Sequence, residues 1–167
     1  MNIILIGMPS CGKSTIGVVL AKAAGYNFMD TDLLIQQREK MRLQQIIDTK
    51  GLPYFIKAEE AALLSVSCDY TVIATGGSAI YSPAAMEHLK SMGVIVYLQV
   101  AEPEIERRLS NLATRGVAGA KDKTIADIYD ERIPLYEKYA DFIVDCNHED
   151  VSGCVDKLLA RLQLALI

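Results

Sequence analysis

A nine-residue segment near the N-terminus constrains this chain more than any other feature. Residues 7–15 are Gly-Met-Pro-Ser-Cys-Gly-Lys-Ser-Thr, which satisfies the pattern G-x-x-x-x-G-K-[ST]. An apolar run at residues 2–6 precedes the segment, and a helical pattern at 13–24 follows it. In that context the loop directs its backbone N–H groups around phosphate, and the N-terminus of the helix adds positive potential. The chain is therefore predicted to bind the phosphates of a nucleotide.

The side chains of this loop have predicted roles toward a triphosphate. Lys13 is expected to reach the β- and γ-phosphates, and the Ser14 hydroxyl is expected to ligate Mg²⁺. We expect Cys11 to contribute only its backbone N–H, and Thr15 to cap the helix or to pack behind the loop. The predicted nucleotide-binding residues of the loop are Gly7, Ser10, Cys11, Gly12, Lys13, Ser14 and Thr15.

Composition limits the partners and the compartment that we expect. With 167 residues, 51% of them hydrophobic and 23% charged, the chain is predicted to form one globular domain over 1–167. A formal net charge of -4 gives no bulk attraction to nucleic acid or to anionic lipid, so we expect neither as a partner. The four cysteines and two histidines lack the spacing of a zinc site or a disulfide framework. The apolar run at 2–6 is too short for a signal sequence or a membrane span. The cysteine pattern predicts the reducing cytoplasm. We expect a monomer, although the sequence itself does not give the oligomeric state.

Short apolar runs alternate with longer helical patterns along the chain. The runs lack the polar alternation of half-exposed strands, so helices are expected to cover both faces of the sheet. This order predicts a P-loop NTPase fold, which is a three-layer α/β/α domain with a five-stranded parallel sheet. The predicted strands are 2–6, 27–29, 71–75, 94–98 and 142–144. The predicted helices are 13–24, 32–40, 43–48, 53–67, 83–91, 102–112, 125–139 and 152–164.

Two aspartates follow the second predicted strand. Asp30 and Asp32 occupy alternate positions, which on extended backbone place both side chains on one side. The carboxyl end of a parallel strand faces the crevice in which ligands bind. One carboxylate could hold a Mg²⁺-bound water while the other orients or deprotonates an acceptor hydroxyl. An alternative, compatible with these roles, is that Asp32 caps the helix that begins at Leu33.

Four blocks, spread over nearly the whole chain, carry a family resemblance. They are the phosphate loop at 7–15, Phe-Met-Asp-Thr-Asp at 28–32, Ala-Thr-Gly-Gly at 74–77 and Glu-Arg-Ile-Pro-Leu-Tyr at 131–136. In this order and spacing they resemble the shikimate kinase family of small P-loop kinases. The resemblance implies that the chain transfers the γ-phosphoryl group of ATP, with Mg²⁺ as cofactor, to the 3-hydroxyl of shikimate.

The resemblance also implies a role for residues on the acceptor side. Asp30 would support Mg²⁺ through water, and Asp32 would bind the acceptor hydroxyls and could serve as the base. Gly76 and Gly77 would line the substrate site, with the Gly77 backbone N–H on the substrate carboxylate. The Arg132 guanidinium would grip the same carboxylate. The substrate-binding helical segment would span about 32–60.

On the nucleotide side, the resemblance implies roles for two further arginines. The segment 113–123 combines glycines with basic side chains between two predicted helices, so we expect a mobile, basic loop that acts as a lid. Arg115 would be the lid arginine that closes over the phosphates. Arg108 would stack on adenine, since a planar guanidinium suits a flat ring.

The chain departs from the family pattern at the substrate side. Ile56 replaces the arginine that clamps the carboxylate of shikimate, and Ser78 replaces the third glycine of a Gly-Gly-Gly turn. Lys57 is adjacent, but neighbouring residues on a helix point about 100° apart, so it would be an imperfect substitute. In the lid, Gly116 stands where the family has proline, which makes the loop softer.

Three functions therefore remain as hypotheses. The first is a kinase of shikimate, with Lys13, Asp32 and Arg115 as the catalytic residues. The second is a related kinase whose acceptor is an uncharged polyol, a sugar derivative or another hydroxy acid, with an apolar part that meets Ile56. The third is a nucleotide-binding regulator that binds ATP and has no acceptor.

Overall fold

Five parallel strands form the central sheet of the chain, which is described by a computed structural model over residues 1–110 and 122–165. Their order across the sheet is β2-β3-β1-β4-β5, so β1 lies at the centre and β2 at one edge. Every residue of β1 and β3 is buried, which shows that helices cover both faces. The strands are β1 (Asn2–Ile6), β2 (Asn27–Asp30), β3 (Thr71–Ala74), β4 (Gly93–Gln99) and β5 (Phe142–Asp145). The predicted α/β/α P-loop fold is confirmed.

Within the described ranges, eight α-helices and a 3₁₀ helix at Ala79–Tyr81 connect the strands. Helices α1 and α8 pack together, as do α2, α3 and α4, while α6 packs on α7. Over the described ranges no helix is both long and apolar enough to cross a membrane. The α-helices are α1 (Lys13–Ala24), α2 (Thr31–Glu39), α3 (Leu43–Lys50), α4 (Leu52–Leu64), α5 (Pro83–Met92), α6 (Glu102–Ser110), α7 (Ile125–Tyr139) and α8 (Val151–Ala165).

The central strand shows why the sheet has this register. Ile4 of β1 lies opposite Ile73 of β3 and Ile95 of β4, so apolar side chains meet across three neighbouring strands. Asn2 is polar and buried at the start of β1, where its amide donates to Cys68 O at 2.7 Å and accepts from Thr71 N at 3.0 Å. Because its polar atoms are paired, this buried amide is tolerated.

A second, smaller apolar cluster holds the helices that precede β3. Ile35 of α2, Ile46 of α3, and Phe55 and Ala62 of α4 are buried together, apart from the main core. These three helices correspond to the segment of about 32–60 that was predicted to bind substrate. The cluster fixes their positions relative to each other.

The element boundaries differ from the predictions in a few places. Helix α2 begins at Thr31, and its N-cap is Asp30, whose carboxylate accepts from Asp32 N at 2.9 Å. The prediction that Asp32 caps a helix beginning at Leu33 is therefore wrong, because the chain turns into the helix two residues earlier. Helix α4 ends at Leu64 instead of residue 67. The Ser65 hydroxyl donates a hydrogen bond to the Ala62 carbonyl oxygen at 2.7 Å, which tightens the last turn of the helix.

Candidate active site

The carboxyl ends of the parallel strands surround one large cleft. Its volume is about 1190 Å³, and it runs from the loop after β1 to the ends of β2 and β3 and to the start of α8. The predicted site residues that line it are Ser10, Cys11, Gly12, Lys13, Ser14, Thr15, Asp30, Asp32, Gly76, Gly77, Arg108 and Arg132. Arg115 and most of the predicted lid lie outside the described residues.

The loop between β1 and α1 has a backbone that only certain residues adopt. Gly7 has φ +148°, and a Cβ there would lie 2.8 Å from the Leu98 carbonyl oxygen and 2.9 Å from Cys11 Sγ. Gly12, at φ +103°, is the N-cap of α1, and no side chain in the described part of the chain caps that helix. The first N–H groups of α1 are therefore not occupied by a capping side chain, which suits an anion.

Lys13 is fixed at the centre of this loop. Its side chain is 8% exposed, and Nζ donates to the carbonyl oxygens of Gly7 and Met8, each at 2.8 Å. An ammonium held in this way needs little rearrangement to meet a phosphate oxygen. Gly7 does not line the cleft itself and instead contributes this carbonyl from beneath the loop.

Ser14 and Asp30 join the first helix to the second strand. The Ser14 hydroxyl donates to Asp30 Oδ2 at 2.7 Å, while Asp30 Oδ1 caps α2. A hydroxyl and a carboxylate are hard oxygen ligands of the kind that Mg²⁺ prefers. Within the described ranges no group of three or more His, Cys, Asp or Glu side chains could hold a metal ion. The pair therefore fits a Mg²⁺ ion that takes most of its ligands from phosphate and water.

Two carboxylates converge on Gly76 at the end of β3. A Cβ at Gly76 would lie 2.9 Å from Asp32 Oδ1 and would overlap Glu59 Oε1. Only glycine leaves room for both side chains at this point. Asp32 and Glu59 therefore form one acidic face of the cleft, carried by α2 and α4.

Glu59 is a site residue that the sequence analysis missed. Its side chain is 2% exposed, Oε2 accepts from Ser78 Oγ at 2.5 Å, and Oε1 has no hydrogen-bond partner among the described residues. Burial raises the pKa of Glu59 to about 7 and Asp32 adds to the rise, while Ser78, Arg132 and Lys13 act against it. A signal was present, because Glu59 interrupts the otherwise apolar buried face of α4 that Phe55, Ala62 and Leu63 form.

Arg132 projects from α7 to the loop after β3. It is 1% exposed, its Nε donates to Tyr81 Oη at 3.2 Å, and a Cβ at Gly77 would lie 2.9 Å from its Nη1. Tyr136, one turn further along α7, donates its hydroxyl to the Gly77 carbonyl at 2.7 Å. A guanidinium is thereby fixed against the Gly77 peptide, where an anionic group of a ligand can be bound.

The side chain of Ile56 faces away from the large cleft. It lines a smaller cavity of about 200 Å³, which shares Ser78 with the large one. Lys57, considered above as a substitute for the missing arginine, is exposed and lines neither cavity. The residues of the small cavity are Leu52, Ile56, Ser78, Tyr81, Lys123, Ile128 and Glu131.

Arg108 lines the large cleft from α6. Its Nη1 donates to the Ser10 carbonyl at 3.1 Å, and its Nε pairs with Glu104 at 2.7 Å. The guanidinium is thus held beside the loop that is predicted to bind phosphate. Cys146, Asp150 and Cys154 also line the cleft.

Comparisons with known proteins point in one direction. A family model described as shikimate kinase matches residues 9–163. The shikimate kinase of Thiobacillus denitrificans is 32% identical over 166 residues, which are 98% of this chain and 91% of that protein. Shikimate kinase from Acinetobacter baumannii in complex with shikimate superposes with a TM-score of 0.89 at 27% identity, covering 98% of this chain and 93% of that one. Shikimate kinase from Aquifex aeolicus superposes with a TM-score of 0.87 at 30% identity, and the match covers 100% of this chain and 99% of that one.

Proposed function

Because the chain belongs to the shikimate kinase family, we propose that it transfers the γ-phosphoryl group of ATP to a hydroxyl of shikimate. One observation carries the proposal: a phosphate loop, two carboxylates and a buried guanidinium line the same cleft. The triphosphate of ATP needs a phosphate loop, the hydroxyls of shikimate need a carboxylate to orient them, and the carboxylate of shikimate needs a guanidinium.

The nucleotide binds along the loop after β1. Its phosphates accept hydrogen bonds from the backbone N–H groups at the start of α1, and the Lys13 ammonium exchanges its carbonyl partners for the β- and γ-phosphate oxygens. Arg108, which the Ser10 carbonyl holds beside the loop, stacks on the adenine. Arg115 is the proposed lid residue over the phosphates.

Mg²⁺ is the proposed cofactor, and two residues would hold it. Ser14 would ligate the ion through its hydroxyl, and Asp30 would support it through a water. When bound, the ion neutralises the charge that develops on the β- and γ-phosphate oxygens.

The acidic face of the cleft positions the acceptor hydroxyl. Asp32 accepts a hydrogen bond from this hydroxyl and takes its proton as the oxygen bonds to the γ-phosphorus and the bond to the bridging oxygen of ADP breaks. Phosphoryl transfer depends mainly on alignment and charge stabilisation, so orientation is the larger part of the role of Asp32.

The carboxylate of the acceptor binds at the opposite wall. Arg132 supplies a guanidinium that is already desolvated, and Gly77 supplies its backbone N–H, while Tyr136 holds the carbonyl oxygen of the same residue. Such preorganisation lowers the entropy cost of binding.

The same proposal covers the setting of the protein. We place it in the cytoplasm as a monomer, with ATP, ADP and the hydroxylated acid as its partners and with no nucleic acid or membrane partner. Two observations support this setting: the four cysteines are free thiols, and the net charge of the chain is negative.

The test is a coupled assay of ADP release with Mg²⁺ and ATP, with and without millimolar shikimate. The expected result is shikimate-dependent ADP formation that Lys13→Ala abolishes. ADP release that shikimate does not stimulate, with ATP binding intact by calorimetry, would contradict the proposal. It would favour an uncharged polyol as acceptor, or a regulator if a panel of such compounds also fails.

A further inference from the structure

The small cavity behind Ser78 extends the acceptor site beyond the large cleft. Ser78 lines both cavities, and Tyr81, which lines the small one, accepts from Arg132 at 3.2 Å. The small cavity therefore adjoins the Arg132–Tyr81 contact, next to the place proposed above for the carboxylate of the acceptor. Leu52, Ile56 and Ile128 contribute apolar side chains to the lining of this cavity.

Among the described residues that line the small cavity, Lys123 carries the one positive charge. Its ammonium pairs with Glu131 Oε2, and Glu131 Oε1 accepts from the Tyr81 hydroxyl. A continuous chain of polar contacts thus leads from Arg132 through Tyr81 and Glu131 to Lys123.

The two cations lie close enough to influence each other. The pKa of Lys123 is raised mainly by its hydrogen bond with Glu131, and the charge of Arg132 acts in the opposite direction. Glu131 is the carboxylate of this contact chain, and the charges of Arg132 and Lys123 at its two ends repel each other. An anion that enters the cavity relieves this repulsion.

We propose that Lys123 is the second cation of the acceptor site and that it selects acceptors with a carboxylate. Its ammonium leaves Glu131 and pairs with the carboxylate of the acceptor, on the side opposite Arg132. The inference rests on the proposed function, because it assigns one end of the same acceptor.

The geometry favours Lys123 over the other nearby cations. Lys57 is exposed and lines neither cavity, and Lys13 is engaged by the carbonyl groups of the phosphate loop. Ile56 has no charge to offer, but it gives the cavity a low-dielectric wall that strengthens an ion pair beside it. The Lys123 side chain is 46% exposed, so it can move between two partners.

The test compares Lys123→Gln and Lys123→Arg with the wild type, and Lys90→Gln is the matched control. Lys90 pairs with Asp141 at the surface and lines neither cavity. For Lys123→Gln, we expect the Kd and KM of shikimate to rise about tenfold or more, with kcat and the KM of ATP unchanged. Lys123→Arg should restore most of the loss, and the control should behave as the wild type.

A second comparison uses the methyl ester of shikimate, which has no charge at that end. By calorimetry in the presence of ADP, Lys123→Gln should weaken the binding of shikimate and leave the binding of the ester unchanged. In the Lys123→Gln background, Ile56→Arg should recover shikimate affinity, since it returns a cation to the same cavity.

The outcomes separate this inference from the proposed function. If the wild type phosphorylates shikimate and Lys123→Gln has the same KM, the role of Lys123 is overturned and the proposed function stands. If Lys123→Gln loses the same affinity for shikimate and for its ester, the role of Lys123 is also overturned, because equal losses indicate a structural effect. If the wild type binds neither compound, both proposals fail together.

Discussion

The Ser78 hydroxyl donates a 2.5 Å hydrogen bond to Glu59 Oε2 at the base of the cleft. This contact holds a buried carboxyl group whose other oxygen faces Gly76 and Asp32. Ser78 therefore does more than fill the place of a glycine. It is the hydrogen-bond partner that fixes Glu59 at the acceptor side of the site.

The titration of Glu59 should make the stability of the protein fall as pH rises. Its pKa is about 7 in the folded chain, mainly because of burial, against 4.5 when it is exposed. The folded state therefore binds the proton more tightly, and the stability this proton provides is complete below about pH 4.5 and lost as pH rises through 7. Glu59→Gln should lack this loss. From pH 5 to pH 8 its free energy of unfolding should therefore rise relative to that of the wild type by roughly 1 to 3 kcal/mol.

Urea denaturation of both proteins at the two pH values measures this difference. Glu87→Gln, at an exposed position of α5, is the control and should follow the wild type. If the free energies of unfolding of Glu59→Gln and the wild type change in parallel with pH, Glu59 does not titrate in this range.

Gly76→Ala should damage the acceptor site and spare the nucleotide site. The new methyl group would overlap Glu59 Oε1 and press on Asp32, so one carboxylate must move. We expect a loss of stability of about 1 to 3 kcal/mol and a rise in the KM of shikimate of at least tenfold. Calorimetry with ADP should give an unchanged Kd, and a weakened ADP affinity would argue for a wider disturbance.

Lys13→Ala should remove activity without unfolding the chain. The ammonium is proposed to stabilise charge on the transferring phosphoryl group, and the loss of one such group commonly costs 100-fold or more in kcat. Circular dichroism should show an intact fold, because Lys13 contacts loop carbonyls and is not part of the apolar core. Lys22→Ala, an exposed position on the same helix, should keep full activity. Turnover by Lys13→Ala near the wild-type rate would refute the role of the loop.

Tyr136→Phe should loosen the Gly77 peptide. The phenol hydroxyl donates to the Gly77 carbonyl at 2.7 Å, and its removal leaves a buried acceptor without this partner. We expect a loss of about 1 kcal/mol in stability and a several-fold rise in the KM of shikimate, with the KM of ATP unchanged. Tyr70→Phe at the exposed end of the sheet is the control. An unaltered KM would mean that Gly77 does not position the acceptor.

The fold could be predicted from the sequence because its signals are local. Residues 7–15 define the phosphate loop, and the uninterrupted apolar runs define strands buried on both faces. The error in the cap of α2 is a matter of two residues: Asp30 and Asp32 are both good caps, and the tertiary contact of Asp30 with Ser14 decides between them.

The acceptor site was harder to predict because its contacts join distant parts of the chain. Glu59 and Ser78 become partners only when α4 meets the loop after β3, and the Lys123–Glu131 pair joins the site only when Tyr81 meets Glu131 of α7. Periodicity alone could have marked Glu59 as a charge on an apolar helix face. No local pattern could show that Ile56 and Lys123 share a cavity.

The nucleotide half and the acceptor half of the site lie at the ends of strands that have different positions in the sheet. The phosphate loop follows β1, which is paired on both sides. Asp30 is the last residue of β2 and Asp32 comes just after it, and β2 is an edge strand paired with β3 alone among the described strands. Edge elements open locally at a lower free-energy cost than central ones, so amide hydrogen exchange should be faster along β2 and α2 than along β1. Substitutions on the acceptor side can therefore accumulate and alter specificity while the machinery for ATP stays intact.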